Sequence, residues 1–119
     1  MKPGTAHRIR IEPCDAHVTV TYDGVVLAET DRALLLHEGK LPTRYYIPPQ
    51  DVRTDLLADS DTHTRCPWKG EASYKTLVLG DQRLEDFVWF YPDPIPEARS
   101  IAGLFCFYNE KVEIEVGLK

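Results

Sequence analysis

The spacing of apolar and polar positions predicts a chain of short strands. From His17 to Tyr22 the two classes alternate strictly. Val18, Val20 and Tyr22 fall on one face and His17, Thr19 and Thr21 on the other, the period of a half-buried strand. Asp23-Gly24 follows, and Val25 to Glu29 is again β-rich. Asp-Gly between two such runs predicts a hairpin, because a type I′ turn needs positive φ at both central positions. Arg8 to Glu12 alternates basic and apolar residues and stops at Pro13. Ala33 to Glu38 is short and closely bounded by Gly39 and Pro42, so its run of leucines is read as a strand. Arg44 to Ile47 is another, stopped by Pro48-Pro49.

One helix is expected, over residues 50–59. Prolines just before it suit a first helical turn, and Val52, Leu56 and Leu57 would form its apolar face. Ala72 to Leu79 and Gln82 to Tyr91 read as paired strands about Gly80-Asp81. In the second, Phe87, Trp89 and Tyr91 alternate with Val88 and Phe90, so both faces are apolar and the strand should be buried on both sides. Pro92 to Pro96 is too rich in proline for ladder pairing and reads as a rigid loop. Glu97 to Ala102 fits one helical turn closed by Gly103. Leu104 to Tyr108 and Lys111 to Val116 read as a final hairpin, with Val112, Ile114 and Val116 facing inward. About eight strands against one helix make the class mainly β and antiparallel. Residues 1–7 read as a tail and 8–119 as one domain.

Composition narrows the function. The chain has 119 residues, 43% hydrophobic and 28% charged, as a single soluble globular domain would. Its net charge of −5 argues against nonspecific nucleic-acid or anionic-membrane binding, which need a positive field. No run approaches the roughly 18 apolar residues of a membrane span. Met1 to His7 lacks a signal-peptide core, so the expected location is the cytoplasm. Cys14, Cys66 and Cys106 are odd in number and far apart, with no Cys-x-x-Cys. Neither a disulfide framework nor a structural zinc site is expected, and no metal or cofactor is assigned.

The densest chemistry lies in Arg65-Cys66-Pro67-Trp68-Lys69-Gly70. Cys66 has Arg65, Lys69 and His63 close in sequence, and cations stabilise a thiolate. Lys69 beside Gly70 offers an ammonium and a bare backbone N–H to an anion, with Arg44 and Arg65 as companions. Tyr45, Tyr46, Trp68, Tyr74, Trp89 and Tyr91 would supply walls for a planar ligand, although aromatics fill β cores by default. Tyr45 and Tyr46 point to opposite faces, so at most one looks into a given cavity. Glu38, after three leucines, would be a partly buried acid.

Taken together, the motifs resemble the DUF427 family of small domains of unknown function. The resemblance runs from Arg8 to Leu118. It rests on Tyr22-Asp23-Gly24 with Ala28, on Glu38, and on Tyr45-Tyr46-Ile47-Pro48 with Asp51-Val52. It continues through Cys66-Pro67-Trp68-Lys69-Gly70 with Ala72 and Tyr74, and Trp89-Phe90-Tyr91-Pro92 with Pro94. Ile101-Ala102-Gly103 and Phe105 complete it. The resemblance implies a compact antiparallel β domain of the open-barrel or tent kind. A nucleotidyltransferase label attached to the family meets neither a Gly-rich phosphate loop nor a tight acidic pair suited to magnesium in this sequence.

The expected function is binding of a small, planar, anionic ligand near Lys69. Glu38, Arg44, Tyr45, Cys66, Lys69, Tyr74, Trp89 and Tyr91 are the expected site residues. A second reading is an enzyme acting on a similar ligand, with Cys66 as nucleophile or Lys69 and Glu38 as an acid–base pair. A third is a protein-interaction module, including a homodimer, joined through a sheet edge.

Overall fold

Asp23 and Gly24 both adopt positive φ, 50° and 80°, and close the expected hairpin between strands β2 (His17–Tyr22) and β3 (Val25–Thr30). The computed structural model describes residues 9–119; the expected tail, residues 1–7, lies outside them. The other strands are β1 (Ile9–Pro13), β4 (Leu34–Glu38), β5 (Arg44–Ile47), β6 (Leu57–Cys66), β7 (Gly70–Leu79), β8 (Gln82–Phe90), β9 (Phe105–Phe107) and β10 (Glu113–Gly117). They form two open antiparallel sheets and no closed barrel. The larger runs β1-β4-β5-β9-β8-β7-β6 and the smaller β10-β2-β3.

The alternation along β2 decides how the sheets meet. Val18 and Val20 are fully buried and join Leu27 and Ala28 of β3 against Ile47, Leu77, Val88, Phe105 and Phe107 of the larger sheet. Each such aliphatic or Phe side chain, taken from water, contributes about 1.5–3 kcal/mol. The far face of the larger sheet carries a second core of Leu36, Tyr46, Ala72, Trp89, Tyr91 and Cys106. A 3-10 segment, Pro96–Ile101, covers it with Ala98 and Ile101. The central strands are therefore buried on both faces, as the sequence of β8 requires.

Three expectations fail, each for a tertiary reason. The helix over residues 50–59 does not form. Two 3-10 turns, Pro49–Asp51 and Thr54–Leu56, stand there, and β6 begins at Leu57. Val52 bridges Ala28, Arg53 N–H donates to the Leu27 carbonyl at 2.8 Å, and Leu57 pairs with Leu77. These pairings bury the same apolar residues, Val52, Leu56 and Leu57, without helical turns.

The final hairpin also fails. β9 inserts between β5 and β8, while β10 pairs with β2 in the other sheet. Val112 and Ile114 reach the main core, but Val116 remains 51% exposed.

Finally, Phe87 does not share a face with Trp89 and Tyr91. Lys75 pairs with Val88 and Leu77 with Leu84, so Glu85, Asp86 and Phe87 bulge opposite Thr76 alone. Asp86 takes φ 52° in the bulge, and Phe87 packs into the main core beside Val88. A matching bulge in β6 spans residues 60–62. Ser60 and Thr62 donate from it to the Asp86 carboxylate, the second at 2.7 Å, across the width of β7. These hydroxyls, Ser60 first, hold the Asp86 carboxyl below its ordinary pKa.

Candidate functional site

The β6–β7 hairpin builds the site. Cys66 pairs with Gly70, leaving Pro67, Trp68 and Lys69 in the turn, and Lys69 N–H donates to the Cys66 carbonyl at 3.2 Å. The Lys69 carbonyl accepts from Ile95 N–H at 2.9 Å, so the proline-rich loop clamps the turn. That approach requires glycine at position 70. Its φ is +117°, and a Cβ there would stand 3.2 Å from Pro94 Cα and 3.3 Å from Ile95 N.

Clamped in this way, Lys69 turns inward. Its Nζ donates to Glu38 Oε1, and both side chains are only 10% exposed. Glu38 ends β4 on the face set by Leu36, two residues before it, which belongs to the second core. The Lys69 ammonium also lies 5.9 Å from the centre of the Tyr91 ring.

Arg44 opens β5 opposite this pair. Its guanidinium lies 5.1 Å from the Trp89 ring centre, a cation–π distance. It donates to Asn109 Oδ1 at 3.1 Å and stands 3.5 Å from the exposed Glu110 carboxylate. Asn109 in turn donates to the Thr43 carbonyl at 2.8 Å, joining the two turns that rim the site. Trp89 Nε1 donates to the Tyr46 hydroxyl at 3.0 Å, and Tyr108 meets the Trp89 ring edge-on at 4.6 Å. The Tyr74 hydroxyl lies 2.8 Å from Thr64 Oγ1. Burial pushes the Tyr91 and Tyr108 phenols above their ordinary pKa, so at neutral pH both are protonated donors.

These side chains enclose a cleft of about 260 Å³, lined by Glu38, Leu41, Pro42, Arg44, Lys69, Tyr74, Trp89, Tyr91 and Tyr108. Six of the expected site residues, Glu38, Arg44, Lys69, Tyr74, Trp89 and Tyr91, thus converge on one cavity. Two do not line it. Tyr45 points through the sheet and packs on the main core. Cys66 is partly buried against the second core. Two of the cations expected around its thiol are not on its face. Strand alternation sends Arg65 and His63 to the opposite face, where His63 Nδ1 lies 3.2 Å from Ser73 Oγ, and Lys69 is held by Glu38.

Tyr108, Leu41 and Pro42 were not among the expected site residues, and Tyr46, expected as a possible wall, instead supports Trp89. The alternation Phe105-Cys106-Phe107-Tyr108 held the signal for Tyr108. Phe105 and Phe107 fill the main core, and Cys106 and Tyr108 take the Trp89 side. Cys106 itself is fully buried, and burial pushes its thiol well above the ordinary range. Among the described residues, no group of three or more His, Cys, Asp or Glu side chains is placed to hold a metal ion.

Fold and site together define a two-sheet antiparallel β domain whose larger sheet carries an aromatic cleft around a buried lysine–carboxylate pair. Residues 10–117 match the model of the domain of unknown function DUF427, nearly the whole chain, and the protein belongs to that family. No curated protein matches it. No helix among the described residues is long and apolar enough to cross a membrane.

Proposed function

We propose that the protein binds a small, planar, anionic ligand in this cleft. The observation that carries the reading is the charge placed in an aromatic-walled cavity: among the described residues that line it, Arg44 and Lys69 stand with the carboxylate of Glu38. Glu38 neutralises Lys69, which leaves Arg44 to meet the ligand's anionic group. The present carboxylate neighbour of Arg44 is Glu110, whose side chain is 57% exposed. An exposed pair of that kind is worth about 0–1 kcal/mol, so a ligand carboxylate or phosphate displaces it at little cost. Trp89, Tyr91 and Tyr108 offer ring edges and faces to a flat ligand. A volume of about 260 Å³ suits one or two rings rather than a dinucleotide, since drug-sized ligands occupy roughly 300–1,000 Å³.

A thermal-shift screen of wild type and Arg44→Gln tests this, using nucleotides, flavins, sugar phosphates and aromatic carboxylates. A ligand at about 100 times its Kd stabilises the fold by roughly 2.7 kcal/mol. The expected result is a shift from planar anions that Arg44→Gln loses. A panel that leaves wild type unmoved, or moves both proteins equally, overturns the reading.

A further inference from the structure

We infer that Lys69 forms an imine with its ligand: the cleft takes a small aryl acid bearing an aldehyde or ketone, with the carbonyl carbon at Lys69 and the carboxylate at Arg44. This rests on the proposed binding of a planar anion and adds the reactive group that anion carries.

The first ground is the position of the ammonium. A lysine in a β turn ordinarily sends its charged end to water. Lys69 does the reverse: its side chain is nine-tenths buried, yet it forms part of the cleft wall. Its backbone is clamped on both sides, by the Cys66 carbonyl and by Ile95 N–H. A nucleophile held in this way loses little freedom on meeting a bound carbonyl.

The second ground is Glu38. Its carboxylate is in direct hydrogen-bond contact with Nζ, so the proton that must leave the ammonium has an acceptor already in place. Lys69 passes that proton to Glu38, and the neutral amine attacks the carbonyl carbon, forming the N–C bond. A proton moves from nitrogen to the former carbonyl oxygen to give the carbinolamine. Glu38 then protonates that hydroxyl, which leaves as water while the nitrogen lone pair closes the C=N bond. The product is a protonated iminium beside a carboxylate. Charge at the pair is the same before and after, so the buried site never holds an uncompensated ion.

The third ground is the surroundings. Tyr91 flanks the ammonium, and Trp89 and Tyr108 wall the cleft toward Arg44. Aromatic walls fit the aryl ring that carries the reacting carbonyl. Lys75 has no comparable setting. Its ammonium pairs at 2.5 Å with Asp59, whose side chain is 93% exposed.

The test is reductive trapping. Wild type is incubated with 3- or 4-formylbenzoate and sodium cyanoborohydride at limiting probe, then mapped by peptide mass spectrometry, with benzoate as competitor. The expected result is one reduced lysine adduct, on Lys69, formed at least about tenfold faster than on Lys2, Lys40, Lys75, Lys111 or Lys119, which corresponds to about 1.4 kcal/mol of barrier. Benzoate slows it. Lys69→Arg keeps the positive charge beside Glu38 and abolishes the adduct. Arg44→Gln, which leaves the Lys69–Glu38 pair intact, slows labelling at low probe concentration. Adducts spread evenly over the lysines overturn the inference. So does an unlabelled Lys69 in a protein that still shows an Arg44-dependent thermal shift with benzoate, in which case binding stands and the imine falls. Absence of both the shift and the adduct removes the binding proposal and the imine with it.

Discussion

The Lys69–Glu38 pair sets the stability of the cleft wall, and a double-mutant cycle measures by how much. Both side chains are 10% exposed, so removing either partner takes a strong, close contact from a poorly solvated charge. Truncating one half of a buried pair costs about 3–5 kcal/mol, whereas replacing both halves by apolar groups of similar volume is often close to neutral. One side of this pair faces the cleft, where water reaches, so the lower end of that range applies. Lys69→Met and Glu38→Leu should each lose about 3 kcal/mol, and the double variant no more than about 2 kcal/mol, giving a coupling of several kcal/mol. Urea unfolding at pH 7, followed by fluorescence of Trp68 and Trp89, reads this directly. With a slope of about 1–3 kcal/mol per molar urea, each single change moves the midpoint down by roughly 1–3 M. A native stability of about 5–15 kcal/mol keeps the variants folded at zero denaturant. Single losses below about 0.5 kcal/mol, or single losses that simply add in the double variant, would show a solvated pair and refute the reasoning.

Two further outcomes follow from backbone geometry and from charge. Gly70→Ala and Gly24→Ala both force a side chain into positive φ, but only at Gly70 does a Cβ meet backbone atoms, 3.2 Å from Pro94 Cα. Gly24→Ala should cost the strain alone, about 1–3 kcal/mol, and Gly70→Ala clearly more, with loss of Arg44-dependent ligand binding; equal losses in urea would contradict this. Asp86→Asn keeps a residue type tolerant of φ 52° and removes only the charge that Ser60 and Thr62 hold below the ordinary carboxyl pKa. Because the folded value is depressed, its stabilisation is present above about pH 3.9 and is lost as the pH falls through the folded value. The stability gap between wild type and Asp86→Asn should therefore be largest near pH 7 and narrow in acid; a constant gap in urea titrations would count against it.

The strands were legible wherever alternation and turn chemistry agreed. Asp23-Gly24 and Gly80-Asp81 placed their hairpins because positive φ is a local demand. Long-range pairing was not legible. Residues 50–59 carry an apolar spacing that a helix would use, and only the ladder to Leu27, Ala28 and Leu77 makes it something else. The bulge at residues 85–87 escaped for a different reason. It adds two residues, an even number, so the alternation on either side stays in phase and leaves no mark. Arg44 and Tyr45 are adjacent in a strand and cannot face the same cavity; the partner of Arg44 on that face is Tyr46, which carries Trp89. The expected cations around Cys66 failed by the same rule, since Arg65 and His63 are an odd number of positions away.

Strand β9 has a consequence for when the cleft exists at all. Its three residues are the one seam in the larger sheet between β1-β4-β5 and β8-β7-β6. Tyr46 and Ile47 pair with it on one side, and Val88 and Trp89 on the other. Glu38 and Arg44 belong to one half, while Lys69, Tyr74, Trp89 and Tyr91 belong to the other, with Tyr108 just past the seam. The hairpins β2–β3, β6–β7 and β7–β8 draw on neighbouring sequence and can zip within about 1–10 μs, whereas the seam waits on closure of the long intervening chain. The lysine therefore meets its carboxylate late in folding. The cleft is thus a property of the closed sheet, and neither half of it contains both members of the pair.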